Sequence, residues 1–374
     1  MVDNVLIVKL SSLGDVIHTL PAAQALRTRF PQARLGWAVE SAHAAVLAGQ
    51  PFLDEVIVWQ RGRRGGLASF VRRLRRTRWQ LAVDFQGLFR SGLASWASGA
   101  KQRVGFGRRR EFAHWWYTER VPMLPAEAHA VERSLELARW LGAEFAAPPP
   151  QRACVQAGCA AGTRQSSGGV PTPFDPARWF PLYPGPTHRA EAEGWLRQHG
   201  LARLSQPLVL LHPHCRKPAN VWPAARFAAL ARTLMARGCK VVLIGGLAAQ
   251  EACGAVAAAA PGVLRADGRL SLLGSAVLMG SSAVVVTGDT GPMHIAAAVG
   301  TPIVALFGAA SPLRTGPYTD RAEVITATLP CQPCFGRYCR LGYVQPACME
   351  LITVPKVLAA VERALARSAV QIPA

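Results

Sequence analysis

The chain has 374 residues, half of them apolar and only 17% charged, which is enough apolar material for two packed cores and excludes a disordered protein. Its 42 Lys and Arg outweigh 22 Asp and Glu for a formal charge of +20, pointing to anionic partners such as nucleic acid, phospholipid headgroups or phosphorylated metabolites. No apolar run of about 18 residues suits a membrane span, no basic leader with a long apolar core precedes the first strand, and nine mostly scattered Cys argue against a secreted disulfide scaffold. A cytoplasmic chain is expected. Only five of the basic residues are Lys and 37 are Arg, which, with abundant Ala and Gly, looks like the codon bias of a GC-rich genome. The shortage of acids is therefore more informative than the choice of Arg.

Short Val/Ile/Leu runs alternate with helix-length Ala/Leu/Arg segments, the pattern of βαβ units on a parallel sheet. Strands are predicted at Val5–Val8, Leu35–Val39, Val56–Trp59 and Leu81–Asp84, and helices at about Asp15–Phe30, Leu67–Arg76 and Ala130–Leu141. Residues 146–205 break the pattern with Pro148–Pro150, Ser166–Gly169 and repeated Pro, and read as a linker or surface insertion. The scheme then resumes. Strands at Leu208–Leu211, Val241–Ile244, Val284–Val286 and Ile303–Phe307 alternate with helices at Ala224–Ala236, Ala248–Ala259, Leu270–Leu278 and Met293–Val299. A last helix at about Val354–Arg367 can pack on either half. The expected fold is α/β, with two doubly wound Rossmann-like domains facing a cleft. They span 1–145 and 206–353, joined by 146–205 and followed by a helix and tail at 354–374.

Candidate functional residues fall on strand-to-helix turns, where open α/β sheets place ligands. The first turn, after Val5–Val8, matches neither a P-loop nor a dinucleotide fingerprint. Ser11, Ser12 and Gly14 permit close approach of a ligand, and Asp15 opens the helix. Asp15 reads either as a cap favoured by the helix dipole or as a carboxylate able to take a proton from a substrate hydroxyl, and the two roles are compatible. His18, one turn along, is the rival base. Residues 61–80 carry Arg61, Arg63, Arg64, Arg72, Arg73, Arg75, Arg76 and Arg78 without one acid, and Lys101, Arg103 and Arg108–Arg110 form a second group. Such a run is either a solvated face or the meeting place for an anionic partner or membrane surface.

In the second half, Arg216 and Lys217 follow a strand and can reach a diphosphate, or form an exposed basic loop over Trp222. Glu251, after Gly245 and Gly246, can hold a ribose hydroxyl or face solvent. Thr287 to His294 contains Gly288-Asp289-Thr290-Gly291-Pro292, a tight turn with Pro at a first helical position. Helix-start N–H groups there suit a phosphate, and Asp289 suits sugar hydroxyls; an ordinary Asp/Thr cap is the alternative. Cys331, Cys334, Cys339 and Cys348 lie within eighteen positions and read as a zinc or iron–sulfur site or as packed, redox-prone thiols. No helix-turn-helix, ribonucleoprotein or zinc-finger pattern supports a specific nucleic-acid partner.

Four segments carry a family likeness: KLSSLGDVIHTLPA from Lys9, DFQGLFRS at 84–91, HAVERSLEL at 129–137 and GDTGPMHIAAAVGTPIVALFG at 288–308. They resemble the lipopolysaccharide heptosyltransferases of glycosyltransferase family nine, above all heptosyltransferase I. The resemblance implies a GT-B fold with the acceptor on the N-terminal domain and an ADP-activated heptose on the C-terminal one. It implies a metal-independent, cofactor-free, inverting transfer from ADP-L-glycero-D-manno-heptose to Kdo-lipid A, on the inner face of the cytoplasmic membrane with peripheral membrane contact. The absence of any Asp-x-Asp agrees with that chemistry. Asp15 matches the family's general base, and Asp289, Thr290 and Gly291 match its donor motif, with Arg216, Lys217, Glu251 and His294 completing the donor set. Ser11, Ser12, Gly14, Gln86, Arg133, Arg61, Arg63 and Arg64 form the acceptor set.

The chain also departs from the family. Asn220 stands where the family usually has Lys, with Lys217 and Arg216 the nearest cations, so either Lys217 substitutes through a different loop path or phosphate binding is weaker. The ribose-contacting Glu maps to Gln250 or Glu251, and the Cys-rich tail resembles heptosyltransferase II-like members more closely. Another family-nine specificity, and a non-catalytic lipopolysaccharide- or nucleic-acid-binding protein, are the alternatives.

Overall fold

A computed structural model describes residues 2–107, 110–125, 127–145, 175–203 and 205–369. The Pro- and Gly-rich stretch 146–174 of the expected linker lies outside the described residues. The chain divides into two compact units, Met1–Pro148 with Trp179–Tyr183, and Pro149–Arg178 with Pro184–Ala374.

The first unit runs β1 (Asn4–Val8), α1 (Leu13–Arg29), β2 (Arg34–Glu40), a 3-10 turn (Ser41–Leu47), β3 (Glu55–Trp59) and α2 (Gly66–Leu74). It continues with β4 (Leu81–Asp84), α3 (Phe89–Ala97), β5 (Gln102–Phe106), a 3-10 segment (Arg110–Trp116), β6 (Glu119–Val121) and α4 (Ala130–Trp140). The sheet is parallel in the order β3-β2-β1-β4-β5-β6. β1 sits at its centre, with Val5 opposite Leu35 on one side and Leu81 on the other. Strands covered by helices on both faces must be apolar throughout, and Val5, Leu6, Ile7 and Val8 are all fully buried. One layer packs Leu6, Val8, Leu10 and Ile57 against Phe70, Leu74 and Trp79. Because strand order reverses at β1, a crevice opens beyond its carboxyl end and that of β4.

The second unit repeats the plan with α5 (Pro186–Gln198), β7 (Leu208–His212), α6 (Ala224–Ala236), β8 (Lys240–Leu243), α7 (Gln250–Ala259) and β9 (Leu264–Arg265). α8 (Leu272–Gly280), β10 (Val284–Gly288), α9 (Gly291–Ala298), β11 (Ile303–Phe307), β12 (Ala322–Thr326) and α10 (Val354–Ala369) complete it. Its parallel order is β12-β11-β10-β7-β8-β9, so the switch lies between β7 and β10. The terminal helix settles on this unit: Val357, Ala360, Val361 and Ala364 join the core of Val209, Leu211 and Phe227. Trp222 Nε1 donates to the Ile352 carbonyl at 2.8 Å and secures the approach to that helix.

Part of the expected linker is packed structure instead. α5 takes Pro186 into its first turn and buries Ala192 and Trp195. Its Glu191 accepts from the Ser271 amide at 2.7 Å and hydroxyl at 2.5 Å, clamping the start of α8. Proline at a first helical position gives up no hydrogen bond, so frequent Pro did not exclude a helix here. The sequence also left α3, β5, β6, β9 and β12 unmarked. Those strands have two to five residues, too few for a clear periodic signal. No helix among the described residues is long and apolar enough to cross a membrane.

Candidate active site

In the first unit, Lys9, Leu10, Ser11 and Ser12 carry the chain from β1 into α1 at the carboxyl end of the sheet. Asp15 Oδ2 accepts from the Ser12 amide at 3.1 Å and its hydroxyl at 2.7 Å, so the carboxylate closes the helix start. It is not consumed by that role. Its side chain remains 41% exposed, with the Lys9 ammonium 4.0 Å from Oδ1. Lys9 is otherwise buried and donates to the Phe85 carbonyl at 3.0 Å. His18 is buried edge-to-face against His129, the N-cap of α4, with ring centroids 5.0 Å apart, and faces the helix packing rather than solvent.

A second layer holds this turn in place. Gln86 Oε1 accepts from the amides of Leu10 at 2.7 Å and Ser11 at 3.2 Å. Gln86 is itself set by Asp84, whose Oδ1 accepts from the Gln86 and Gly87 amides at 2.8 and 3.2 Å and whose Oδ2 accepts from the Tyr117 hydroxyl at 2.6 Å. Burial pushes the Asp84 carboxyl above its ordinary pKa, partly offset by these donors, and pushes the Tyr117 phenol up as well. Arg90 Nη2 donates to Ser11 Oγ at 2.6 Å, and Arg90 and Arg61 approach the buried Glu40 at 3.3 and 3.6 Å.

Ser11, Ser12, Gly14, Asp15, Gln86 and Arg61 are thus linked around one turn. Arg63 and Arg64 are exposed in the loop before α2, with Arg63 donating to Gln60 Oε1 at 2.7 Å. Arg133 stands half-buried on α4. Lys9, Asp84 and Arg90 lie within the family-like segments but, like Glu40, were not singled out as site residues. Their shared signal is position: each lies at or just beyond the carboxyl end of β1, β2 or β4.

In the second unit, β10 ends at Gly288, and Asp289 and Thr290 lead into α9 at Gly291, with Pro292 in its first turn. The Thr290 hydroxyl lies 3.0 Å from Thr287 Oγ1 and 3.4 Å from His212 Nδ1, and does not cap the helix. Thr290, as N-cap, therefore gives the first-turn N–H groups no side-chain cap. Burial holds the His212 imidazole down to about 3, which keeps it neutral. The neighbouring Cys215 thiol donates to the Asp289 carbonyl at 3.7 Å and is pushed up to about 11 by burial. Arg216 and Lys217 follow it, both exposed.

Asn220, by contrast, is buried. Its Oδ1 accepts from the Ala309 amide at 2.8 Å and ties the loop after β7 to the loop after β11. The residue at this position is a brace between loops. At the β8–α7 turn, Gly245 has φ +152°, and a Cβ there would collide with Ala249. Glu251 follows in the first turn of α7, exposed, while His294 is buried on α9. Asp267, unmarked in the sequence, is buried and receives both arms of Arg265 at 3.0 and 2.6 Å.

Cys331, Cys334, Cys339 and Cys348 line one pocket with Ala219, Ala309 and Leu329. Burial pushes the Cys348 thiol up. Among the described residues, however, no group of three or more His, Cys, Asp or Glu is placed to hold a metal ion, so the metal reading of these four is not supported. Their loop instead braces the loops after β7 and β11. The Ala219 amide donates to the Arg337 carbonyl at 3.1 Å, and the Phe335 amide donates to that of Ala309 at 2.8 Å.

Comparison with known proteins agrees with this architecture. Residues 67–345, well over half of the chain, match glycosyltransferase family 9 (heptosyltransferase). Lipopolysaccharide heptosyltransferase 1 of Pseudomonas aeruginosa is 30% identical over 352 residues, covering 90% of this chain and 87% of that one. Two solved structures superpose along nearly the whole length. A family 9 glycosyl transferase from Veillonella parvula does so with TM-score 0.76 at 23% identity, covering 98% of this chain and 97% of its own. The ADP-heptose LPS heptosyltransferase II of E. coli gives 0.72 at 25%, covering 98% and 99%. With a parallel six-stranded sheet in each unit, the chain has the two-domain GT-B fold and belongs to glycosyltransferase family 9, the heptosyltransferases.

Proposed function

We propose that this protein transfers a heptose from ADP-L-glycero-D-manno-heptose to the Kdo-lipid A inner core of lipopolysaccharide, with inversion and without a metal ion. The N-terminal region 1–145 takes the acceptor and 206–353 takes the nucleotide sugar. Its similarity to an ADP-heptose LPS heptosyltransferase II and to a lipopolysaccharide heptosyltransferase 1 supports both substrates. The observation that carries the reading is Asp15, an exposed carboxylate held by Ser12 beside Lys9 at the mouth of a parallel sheet.

Asp15 accepts the proton of the acceptor hydroxyl as that oxygen attacks the anomeric carbon. The new glycosidic bond forms as the bond to the diphosphate oxygen breaks, and ADP departs. Arg216, Lys217 and the N–H groups at the start of α9 meet its developing charge, the role a metal would otherwise fill. Asp289 accepts hydrogen bonds from heptose hydroxyls, Thr290 and Gly291 shape the turn around the diphosphate, and His294 supports it from within α9. Glu251 holds the ribose. On the acceptor side, Ser11, Ser12, Gly14 and Gln86 line the turn, while Arg61, Arg63, Arg64 and Arg133 meet carboxylate and phosphate groups. The protein works at the cytoplasmic face of the inner membrane, with the basic run Arg61–Arg78 toward the lipid.

Incubation with ADP-heptose and Kdo-lipid A in the presence of chelator, followed by mass analysis, tests the reading. The product gains one heptose; no gain rejects the proposed substrates, and activity that returns only with added metal rejects metal independence. Asp15→Ala abolishes transfer while ADP-heptose binding persists. Loss of both together would make Asp15 a structural residue.

A further inference from the structure

We propose that an aromatic face formed by α3 and the Arg110–Trp116 segment seats this protein on an anionic phospholipid bilayer. Phe89 and Trp96 are exposed on one side of α3, with Gly92 between them buried under Trp116, while Ser91, Ala94, Ser95 and Ala97 are buried on the other. Trp116 lies across that side, 5.6 Å from the Phe89 ring and 5.5 Å from the Trp96 ring. A Cβ at Gly92 would come within 2.6 Å of Trp116, so the missing side chain is what lets the indole lie against the helix. Trp115 and Phe112 extend the surface from the same segment, with rings 4.7 Å apart. Trp115 is 64% exposed, Phe112 56% and Trp96 50%. Rings of this size, left in water in two groups that meet at the consecutive Trp115 and Trp116, mark an interaction surface.

Charge selects the occupant. From Arg61 to Arg110 the chain carries fourteen Lys and Arg and a single acid, Asp84. Asp84 is fully buried, and the proposed face itself carries one exposed carboxylate, Glu111 beside Phe112, against this basic excess. The end of α2 and the turn after it, with Arg72 and Arg76 exposed, are tied to α3 where Arg75 Nε donates to the Ala97 carbonyl at 3.0 Å. Trp and Phe framed by Arg match the interfacial layer of a bilayer, where amphipathic rings sit at headgroup depth and cations meet anionic lipid.

The same helix enters the candidate acceptor turn, since Arg90 contacts Ser11 next to the exposed Phe89. Trp96 lies seven residues further, about 10 Å along the helix axis. A lipid-linked acceptor would thus meet Asp15 without leaving the membrane, a consequence that rests on the function proposed above.

The test is co-sedimentation of the full chain with vesicles of phosphatidylglycerol and phosphatidylethanolamine, compared with phosphatidylcholine alone. The wild-type protein binds the anionic vesicles, loses binding as salt rises, and shows a blue shift of Trp emission. Trp115→Ser with Phe112→Ser lowers vesicle affinity about tenfold or more while the fold, by circular dichroism, is unchanged. Equal binding by this double variant, or no binding by the wild type, overturns the proposal. So does concentration-dependent self-association through these rings without vesicle binding. The double variant also retains turnover of a deacylated, soluble acceptor and loses turnover of one embedded in vesicles. If the wild type turns over neither acceptor, the proposed function fails, while the vesicle result still decides the surface.

Discussion

Tyr117 and Asp84 lie beneath the candidate acceptor turn and touch no open surface, yet they set its geometry. The phenol satisfies one carboxylate oxygen of Asp84, the other holds Gln86 and Gly87, and Gln86 in turn holds Leu10 and Ser11. Tyr117→Phe leaves a buried oxygen without its donor, at a cost of about 1–3 kcal/mol, which chemical denaturation reads as a lower midpoint. His212 makes a pH argument of the opposite kind. Burial lowers its pKa from 6.5 to about 3 in the folded chain. The unfolded chain therefore takes up a proton first as pH falls. The stability this histidine contributes is complete above 6.5 and is lost as pH drops through that interval toward 3. Replacing His212 with Asn flattens the acid side of the stability profile, as measured by thermal unfolding across a pH series.

Loops between strands and helices carry the candidate functional side chains, and other loops position them in turn. Asn220 shows how. A family comparison of the sequence marks it as a missing cation, whereas folded it is an acceptor that fastens the loop after β7 to that after β11. Asn220→Ala strands the Ala309 amide in a buried setting and loosens both loops. The expected result is a higher KM for the nucleotide sugar with kcat little changed, measured by steady-state kinetics. α5 makes a related point about composition. The prolines ahead of it and its flanking glycines look like a linker, but its one Pro sits where a helix tolerates it, and Glu191 docks onto Ser271. The short strands β5, β6, β9 and β12 complete the two sheets without an autonomous signal, because their identity comes from the neighbour they pair with.

Each unit has its own sheet and its own buried cluster, so the protein need not unfold in one step. Calorimetry should resolve a transition that responds to ADP and one that does not. At ligand concentrations of about 100 times Kd, the responsive unit gains about 2.7 kcal/mol, and the other transition stays in place. A uniform shift of a single transition would contradict independent units. The excess of +20 also acquires a location: the stretch from Arg61 to Arg110 holds a third of the basic residues and only one acid, which is buried.

Apolar strand runs, alternating with helix-length segments, were enough to identify two parallel α/β halves, because strands buried on both faces cannot carry polar residues. The turns that hold Asp15 and Asp289 were legible for a similar local reason: Gly, Ser, Thr and Pro at a strand end announce a helix start. Hydrogen-bond partners far apart in the chain were not legible. Lys9 reaches Phe85 and Asn220 reaches Ala309 only because sheet register brings their loops together. Nor does local sequence say which face of α1 is covered, and it is the packing of α4 that buries His18 and leaves Asp15 exposed. Local backbone chemistry decides where turns and helices begin; which side chains face one another, and which meet water, is decided by contacts the chain makes once both sheets have closed.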